Sequence, residues 1–339
     1  MRVLGIETSC DETAAAVVAD GRQVLASRVS SQVARHRKFG GVVPEIASRA
    51  HLQAILPVVE ETLAAADIGP EQLDAIAVTV RPGLIGSLLV GVSFAKGLAL
   101  VWGCPLVAVD HLLAHIYACF FTHPQLVPPL VALVASGGHT SLYVVEQRTR
   151  TRLLGATTDD AAGEAFDKVA SILGLGYPGG PAIERAARGV EPTAVSFPRT
   201  LLGEDSLDFS FSGVKTAVLY HCFGQDASQM GRRRIPEEEG AQVAAAFQEA
   251  VVDVLVEKCR RALAQTGLHR VAVSGGVAAN GWLRERLGAA AEEEGWEVFF
   301  PPAELCTDNA VMVAALGAEL LAAGEVAPLT VDAGSEASL

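Results

Sequence analysis

Apolar runs of strand length alternate along the chain with longer segments of helical period, the pattern of an α/β fold. Arg2 to Glu7, Ala14 to Ala19 and Gln23 to Ser30 read as three short strands joined by turns. From Pro44 to Ala66, Ile46, Leu52, Ile55, Leu56, Val59 and Leu63 recur at helical spacing and predict a helix that buries those residues on one face. Leu73 to Val80 predicts a strand, Leu84 to Trp102 an apolar helix, and Pro105 to Val109 another strand. The opening pattern then returns: Val131 to Ala135 and Ser141 to Val145 flank the tight polar tip SGGHT, and Arg152 to Ala156 follows. Two antiparallel meanders, each followed by helices and parallel strands, amount to an internal duplication. A boundary near Val109 gives a first lobe over 1–109 and a second, carrying the substrate loops, over 110–323. The second lobe holds a loop-rich segment (Gly189 to Gly213), a mixed-charge stretch (Arg232 to Glu239) and a long helix (Gly240 to Gln265). A strand (Arg270 to Ser274), a helix (Ala278 to Glu294), a strand (Trp296 to Phe300) and a last helix from about Asp308 complete it. Residues 324–339 are small and without period, the signature of a disordered tail.

Composition narrows the class. At about 150 residues per domain, 339 residues suggest two domains, and 50% hydrophobic with 19% charged residues is the opposite of a disordered chain. Lys and Arg number 26 against 39 Asp and Glu, a net charge of 26 − 39 = −13, which on the average surface repels polyphosphate. Cys10, Cys104, Cys119, Cys222, Cys259 and Cys306 form no C-x-x-C pair and predict reduced thiols in a cytoplasmic protein. The N-terminus lacks the basic and apolar order of a secretory signal. Gly83 to Gly103 has about the length of a membrane span, but with Lys96 inside it a buried helix is the better reading, and no membrane is expected.

The sharpest local feature is Asp110-His111-Leu112-Leu113-Ala114-His115. Histidines at i and i+4 stand one above the other on a helix face, close enough for both rings to hold one cation, and Asp110 is placed to cap the helix. Two ordinary surface histidines fit the same string. A zincin protease needs a Glu directly after the first histidine, where this chain has Leu112. A third ligand is required, and Asp308, at the start of an apolar helix, either faces a cation or caps that helix. Val134-Ala135-Ser136-Gly137-Gly138-His139-Thr140 ends a strand in small residues whose backbone N–H groups can approach a phosphate or carboxylate. Ser274-Gly275-Gly276-Val277-Ala278-Ala279-Asn280 repeats the device and runs into a helix N-terminus, where anions are favoured. Gly176-Tyr177-Pro178-Gly179-Gly180-Pro181, with Asp167 before it and Glu184 after, suits a sugar or purine, and equally a rigid interhelical loop. Glu7-Thr8-Ser9-Cys10-Asp11-Glu12-Thr13 is a dense polar cluster at a strand-to-strand tip. Arg35-His36-Arg37-Lys38 is a solvated charge run or, in so acidic a chain, a local strip for RNA phosphates.

The strings IETSCDET, GGVVPEIASRAH, RPGLIGSLLVG, VDHLLAHIYA, ASGGHT, GEAFDKVASILGLGYPGGP, FSFSGVKTA, SGGVAAN and CTDNAVM follow in this order between Val3 and Gly317. As an ordered set they resemble the bacterial tRNA N6-adenosine threonylcarbamoyltransferase family, TsaD, once labelled O-sialoglycoprotein endopeptidase. The resemblance implies an α/β, two-lobed actin and sugar-kinase-like (ASKHA) fold built from a duplicated ribonuclease-H-like core around a nucleotide cleft. It implies one divalent metal, iron or zinc, on His111, His115 and Asp308. It implies substrate contacts at Val134, Ala135, Ser136, Gly137, Gly138, His139, Asp167, Gly180, Glu184 and Asn280. The implied reaction moves the threonylcarbamoyl group from threonylcarbamoyl-AMP to N6 of the adenosine 3′ to the anticodon, in tRNAs reading codons that begin with A. An exocyclic aromatic amine is a poor nucleophile, so a cation on the triad would polarise the electrophile. The Gly137 and Gly138 N–H groups would receive the phosphate or developing oxyanion, and Asp11 or Glu12 would take the proton or position the amine. Implied partners are tRNA, met by Arg35, Arg37 and Lys38, a TsaB-like paralogous subunit, a TsaE-like P-loop ATPase and a TsaC-like synthase supplying the adenylate; ATP or ADP binding belongs to the same expectation. The rivals are a small-molecule kinase or ATPase of the same fold, a metalloendopeptidase resting on H-x-x-x-H alone, and a non-catalytic scaffold.

Overall fold

The computed structural model describes residues 1–191, 195–224 and 235–336. Strands β1 (Arg2–Glu7), β2 (Glu12–Ala19) and β3 (Gln23–Ser31) form an antiparallel meander. After the short α1 (Val33–His36) and the long α2 (Pro44–Ala66), β4 (Ala75–Arg81) pairs in parallel with β1. Helix α3 (Ile85–Trp102) leads to β5 (Leu106–Asp110), parallel to β4, and α4 (His111–Thr122) follows at once. Strands β6 (Leu130–Ala135), β7 (Thr140–Gln147) and β8 (Arg150–Ala156) begin the pattern again. Helices α5 (Ala162–Leu173), α6 (Gly179–Ala187), α7 (Ser212–Phe223) and α8 (Glu237–Thr266) precede β9 (Arg270–Ser274), α9 (Gly281–Glu294) and β10 (Glu297–Phe299). The chain closes with α10 (Ala303–Cys306) and α11 (Ala310–Ala322). The sheets run β3-β2-β1-β4-β5 and β10-β9-β6-β7-β8. Taken from its other edge, the second order is β8-β7-β6-β9-β10, the same topology as the first. The expected duplication is therefore real: a meander, then two parallel strands added beside its first strand.

Contacts divide the chain into two compact units, Met1–Val127 with Gln147–Thr151 and Thr307–Leu339, and Pro128–Glu146 with Arg152–Cys306. This differs from a single cut at Val109. Helix α4 stays with the first unit, and α11 returns to it from the far end of the chain. The reason lies in the first sheet, whose strands β1, β2 and β4 are buried on both faces and need cover on both. On one face Leu4, Ile6 and Val78 pack with Ile55 and Val59 of α2 and Val92 and Ala95 of α3. Helix α11 covers the other through small residues: a Cβ on Gly5 would overlap the Ala310 carbonyl, and one on Gly317 would overlap Ala77.

Three expectations need correction. Helix α2 has the predicted bounds and buries Ile55 and Val59 of the predicted face, with Ile46 and Leu63 half-buried, but Ala47, Ala50, His51, Val58 and Thr62 complete the buried side, while Leu52 and Leu56 are 66% and 50% exposed. Periodicity weighted the large apolar residues alone, whereas the sheet is met by Ile55 and Val59 together with the small Ala47, Ala50 and Thr62. Helix α3, expected to be buried, hides only Ser87, Leu88, Gly91, Val92, Ala95 and Ala99, and exposes Ile85, Leu89, Leu100 and Val101. Among the described residues it is the one helix long and apolar enough to cross a membrane, by length and composition only. The stretch from Gly324, expected to be a disordered tail, is tied to the first unit. Ala327 N donates to the Leu106 carbonyl (2.8 Å), Gly334 N to the Val80 carbonyl (2.9 Å), and Val331 and Ala333 pack on the core. Strand β5 is a sheet edge with unpaired backbone groups, and the tail occupies it. Residues 337–339 lie outside those described, as do parts of the Gly189–Gly213 loop and the Arg232–Glu239 stretch. None of the six cysteines is in a disulfide; Cys10 and Cys104 are half-buried and the rest buried.

Candidate metal centre and substrate loops

In the first unit, α4 starts where β5 ends, and Asp110 joins them. Its Oδ1 accepts from Leu112 N (3.0 Å) and Leu113 N (3.2 Å), fixing the first helical turn. His111 and His115 then stand one turn apart, both buried, with ring centroids 4.6 Å apart. Asp308 arrives just before α11, and the alternative of capping is settled by its neighbour: Asn309 caps the helix, its side chain accepting from Met312 N at 3.0 Å. The Asp308 carboxylate instead faces the histidines, with Oδ1 3.2 Å from His115 Nε2 and 3.5 Å from His111 Nε2. Two donors about 2.0–2.1 Å from one ion, at roughly 90–109°, lie about 2.9–3.4 Å apart. The His115–Asp308 separation lies in that range and the His111–Asp308 separation just beyond it, with all three donor atoms within 4.8 Å of one another, so the three side chains could gather on one divalent cation; two imidazoles with one carboxylate are a donor set suited to iron or zinc.

The electrostatics of the triad are uneven. Burial works against a charged His111, but Glu7 and Asp308 outweigh it and raise its pKa to about 9. Burial and the neighbouring His111 hold His115 below the ordinary histidine range. Asp11 and Glu12 lie at the β1–β2 tip of the same unit. Burial, reinforced by Asp308, pushes the Asp11 carboxyl up. Burial lifts Glu12 to about 7 against the hydrogen bond that its Oε1 accepts from Ser31 Oγ at 2.8 Å. Glu12 Oε2 is buried without a hydrogen-bond partner. A carboxyl in that range suits proton transfer at neutral pH. Arg35, Arg37 and Lys38 are exposed on α1 and the turn after it, while His36 among them is buried, its Nδ1 accepting from Val43 N at 3.3 Å.

In the second unit, β6 and β9 are neighbouring parallel strands with Val134 opposite Ser274. The SGGHT and SGGVAAN tips thus emerge side by side at the C-terminal edge of the sheet, where open α/β sheets bind ligands. Gly275, at φ +88°, lies so close to Ala135 that a Cβ would overlap its carbonyl. Ser136 N donates to the His139 carbonyl at 2.7 Å and His139 N to Ser136 Oγ at 3.2 Å. Val134 and Ala135 are buried within β6 and Ser136 just after it, and Gly137 and Gly138 stay exposed. Asp167 on α5 accepts from Gly179 N (2.6 Å) at the start of α6, beside Gly180. Glu184 on α6 accepts from Gly281 N (2.9 Å), and Asn280 caps α9 through Leu283 N (3.0 Å) while donating to Gln248 Oε1 (2.9 Å). Asp167, Glu184 and Asn280 accordingly hold helix starts in place. A cavity of about 720 Å³, lined by Glu184, Arg188, Gln248, Gly281, Trp282 and Arg286 among others, opens beside them.

The family model for TsaD, tRNA N6-adenosine threonylcarbamoyltransferase, matches residues 23–315. The tRNA N6-adenosine threonylcarbamoyltransferase of Moorella thermoacetica is 53% identical over 98% of this chain and 95% of its own length. Its counterpart in Thermotoga neapolitana is 50% identical over 98% of both chains. The chain belongs to this family. Among solved structures, T. kodakarensis HypF superposes with a TM-score of 0.63 at 14% identity, covering 95% of this chain and 48% of HypF. The ROK hexokinase of Thermus thermophilus gives 0.52 at 17%, covering 96% and 100%. These likenesses concern the fold, which is the actin and sugar-kinase-like one that the family resemblance implied.

Several polar residues of these sites were not singled out in the sequence. Glu7 appeared only within the polar tip, yet it is fully buried with Oε2 3.1 Å from His111 Nδ1. Thr79 Oγ1 donates to the same oxygen at 2.6 Å, and Ser9 N donates to Oε1 at 2.5 Å. The available signal was a carboxylate ending an apolar strand. Gln248 and Trp282 gave none, because their partners are remote in sequence.

Proposed function

We propose that this chain transfers the threonylcarbamoyl group from threonylcarbamoyl-AMP to N6 of the adenosine 3′ to the anticodon, in tRNAs reading codons that begin with A. The observation that carries the proposal is the convergence of His111, His115 and Asp308 in a chain of this family. A divalent cation held by the three would act as a Lewis acid on the carbamoyl or carboxylate oxygens. In the transfer a C–N bond forms between the carbamoyl carbon and N6, the carbamoyl–phosphate C–O bond breaks, AMP leaves with the electron pair, and N6 loses a proton. Glu12, with its carboxyl near neutrality, takes that proton, or Asp11 positions the amine. The backbone N–H groups of Gly137 and Gly138 meet the phosphate or the developing oxyanion. The cavity beside Glu184 takes the adenosine part of the adenylate, and ATP or ADP competes there.

Arg35, Arg37 and Lys38 meet tRNA phosphates. Helices α2 and α3 pack together and leave Leu52, Leu56, Ile85 and Leu89 exposed, an apolar face for a TsaB-like subunit; a TsaE-like ATPase and a TsaC-like synthase complete the system. The test is a reconstitution with threonine, bicarbonate, ATP, the adenylate-forming enzyme, the partner proteins and unmodified tRNA. Wild type is expected to yield the modified nucleoside and His111→Ala to lose it. No product from wild type, or equal yield from His111→Ala, overturns the proposal. ATP-dependent phosphorylation of a metabolite, indifferent to the histidine pair, would favour the kinase.

A further inference from the structure

We infer that Glu7 is the positioning residue of the metal centre: its carboxylate holds His111 as the Nδ1–H tautomer and so presents Nε2, the nitrogen nearer Asp308, to the cation. The inference rests on the metal reading given above. Glu7 ends β1 with its side chain fully buried, and both of its oxygens are tied to other parts of the unit. Oε1 accepts from Ser9 N in the β1–β2 tip at 2.5 Å, and Oε2 accepts from Thr79 Oγ1 of β4 at 2.6 Å. The carboxylate therefore has a fixed position, and Oε2 stands 3.1 Å from His111 Nδ1. A buried carboxylate is costly unless donors meet it, so the ring N–H belongs on that side. Turning the imidazole to offer Nδ1 to a cation would strip Glu7 of this donor. Ser9 Oγ, 3.3 Å from the same nitrogen, lies on the same side of the ring.

His115 is built differently. Its Nε2 faces Asp308 at 3.2 Å, but its Nδ1 is buried with no hydrogen-bond partner. The two imidazoles are thus unequal donors: His111, backed by a carboxylate, is the more basic ligand.

The test uses the full chain, stripped of metal and titrated with Zn²⁺ against a chromophoric chelator. Glu7→Gln keeps the shape and removes the charge, and is expected to weaken Zn²⁺ binding about 10–100-fold. Its Co²⁺-loaded form should show altered absorption bands. Long-range ¹⁵N–¹H spectra of the Zn²⁺-loaded wild type should place the His111 proton on Nδ1. Thr79→Val, which leaves every metal ligand and Glu7 in place, should weaken Zn²⁺ in the same direction by a smaller factor, and it decides the matter if Glu7→Gln does not fold. A folded Glu7→Gln with wild-type Zn²⁺ affinity and Co²⁺ bands, a Thr79→Val with wild-type affinity, or a His111 proton on Nε2 overturns the inference. If His111→Ala abolishes Zn²⁺ binding while Glu7→Gln does not change it, only the role of Glu7 falls. Absence of Zn²⁺ binding by wild type removes the metal reading as well.

Discussion

Glu12 sits on a strand end where burial has moved its carboxyl to about 7, and this has a consequence for stability whose sign is fixed. Between the ordinary glutamate range and about 7 the native state holds a proton that the unfolded chain has released, so stability falls as pH rises through that window. Glu12→Gln keeps an acceptor for Ser31 and removes the titration. In the metal-free protein, denaturant midpoints of wild type and variant should separate as pH climbs from about 4.5 to about 7, with the variant the more stable above it. Parallel curves across that range would show that the carboxyl is not displaced. The residues of this centre differ in how far the sequence exposed them. The histidine pair was readable because i and i+4 on one helix is a local relation. Asp308 was ambiguous because caps and ligands draw on the same residue types, and the neighbouring Asn309 resolves it only once the helix start is seen. Glu7 was unreadable as a partner, since its contact with His111 spans 104 positions.

At the scale of elements, the proposed metal centre depends on two helix starts. Asp110 fixes the one that carries the histidines, and Asn309 the one that carries Asp308. Asn309→Ala should cost about 1 kcal/mol of stability and, by slackening the approach to α11, weaken Zn²⁺ binding without touching a ligand. Unchanged affinity with lowered stability would confine Asn309 to the helix. The glycine tips depend on close approach. Gly275→Ala places a side chain at φ +88° and against the Ala135 carbonyl, so it should destabilise the protein by more than about 1 kcal/mol, measured by urea unfolding. Most element bounds could be read from periodicity, and α2 was read to the residue. Its buried face could be read only in part: Ile55 and Val59 are inside as predicted, but Ala47, Ala50 and Thr62 share that face while Leu52 and Leu56 lie outside it, and a pattern of hydrophobic size passes over small residues.

For the whole molecule, the repeated meander made the duplicated topology legible, because each half carries its own alternation. The return of α11 to the first unit was not legible: an apolar helix does not state which sheet it covers, and that return brings Asp308 to the histidines. Charge is the other property of the whole chain, and at −13 it opposes tRNA binding while three cations stand exposed together on α1 and the turn after it. The chain alone should therefore bind tRNA weakly and the assembled complex more tightly. Each phosphate met by a Lys or Arg contributes about −0.7 to −0.9 to the slope of log K against log salt. Replacing Arg35, Arg37 and Lys38 together with Ala should lower the affinity of the complex for tRNA and flatten that slope by about 2 to 3. Binding curves at several salt concentrations measure both effects at once. A slope that does not change would mean that these cations are solvated charges, and that the phosphates are met by another surface or by a partner subunit.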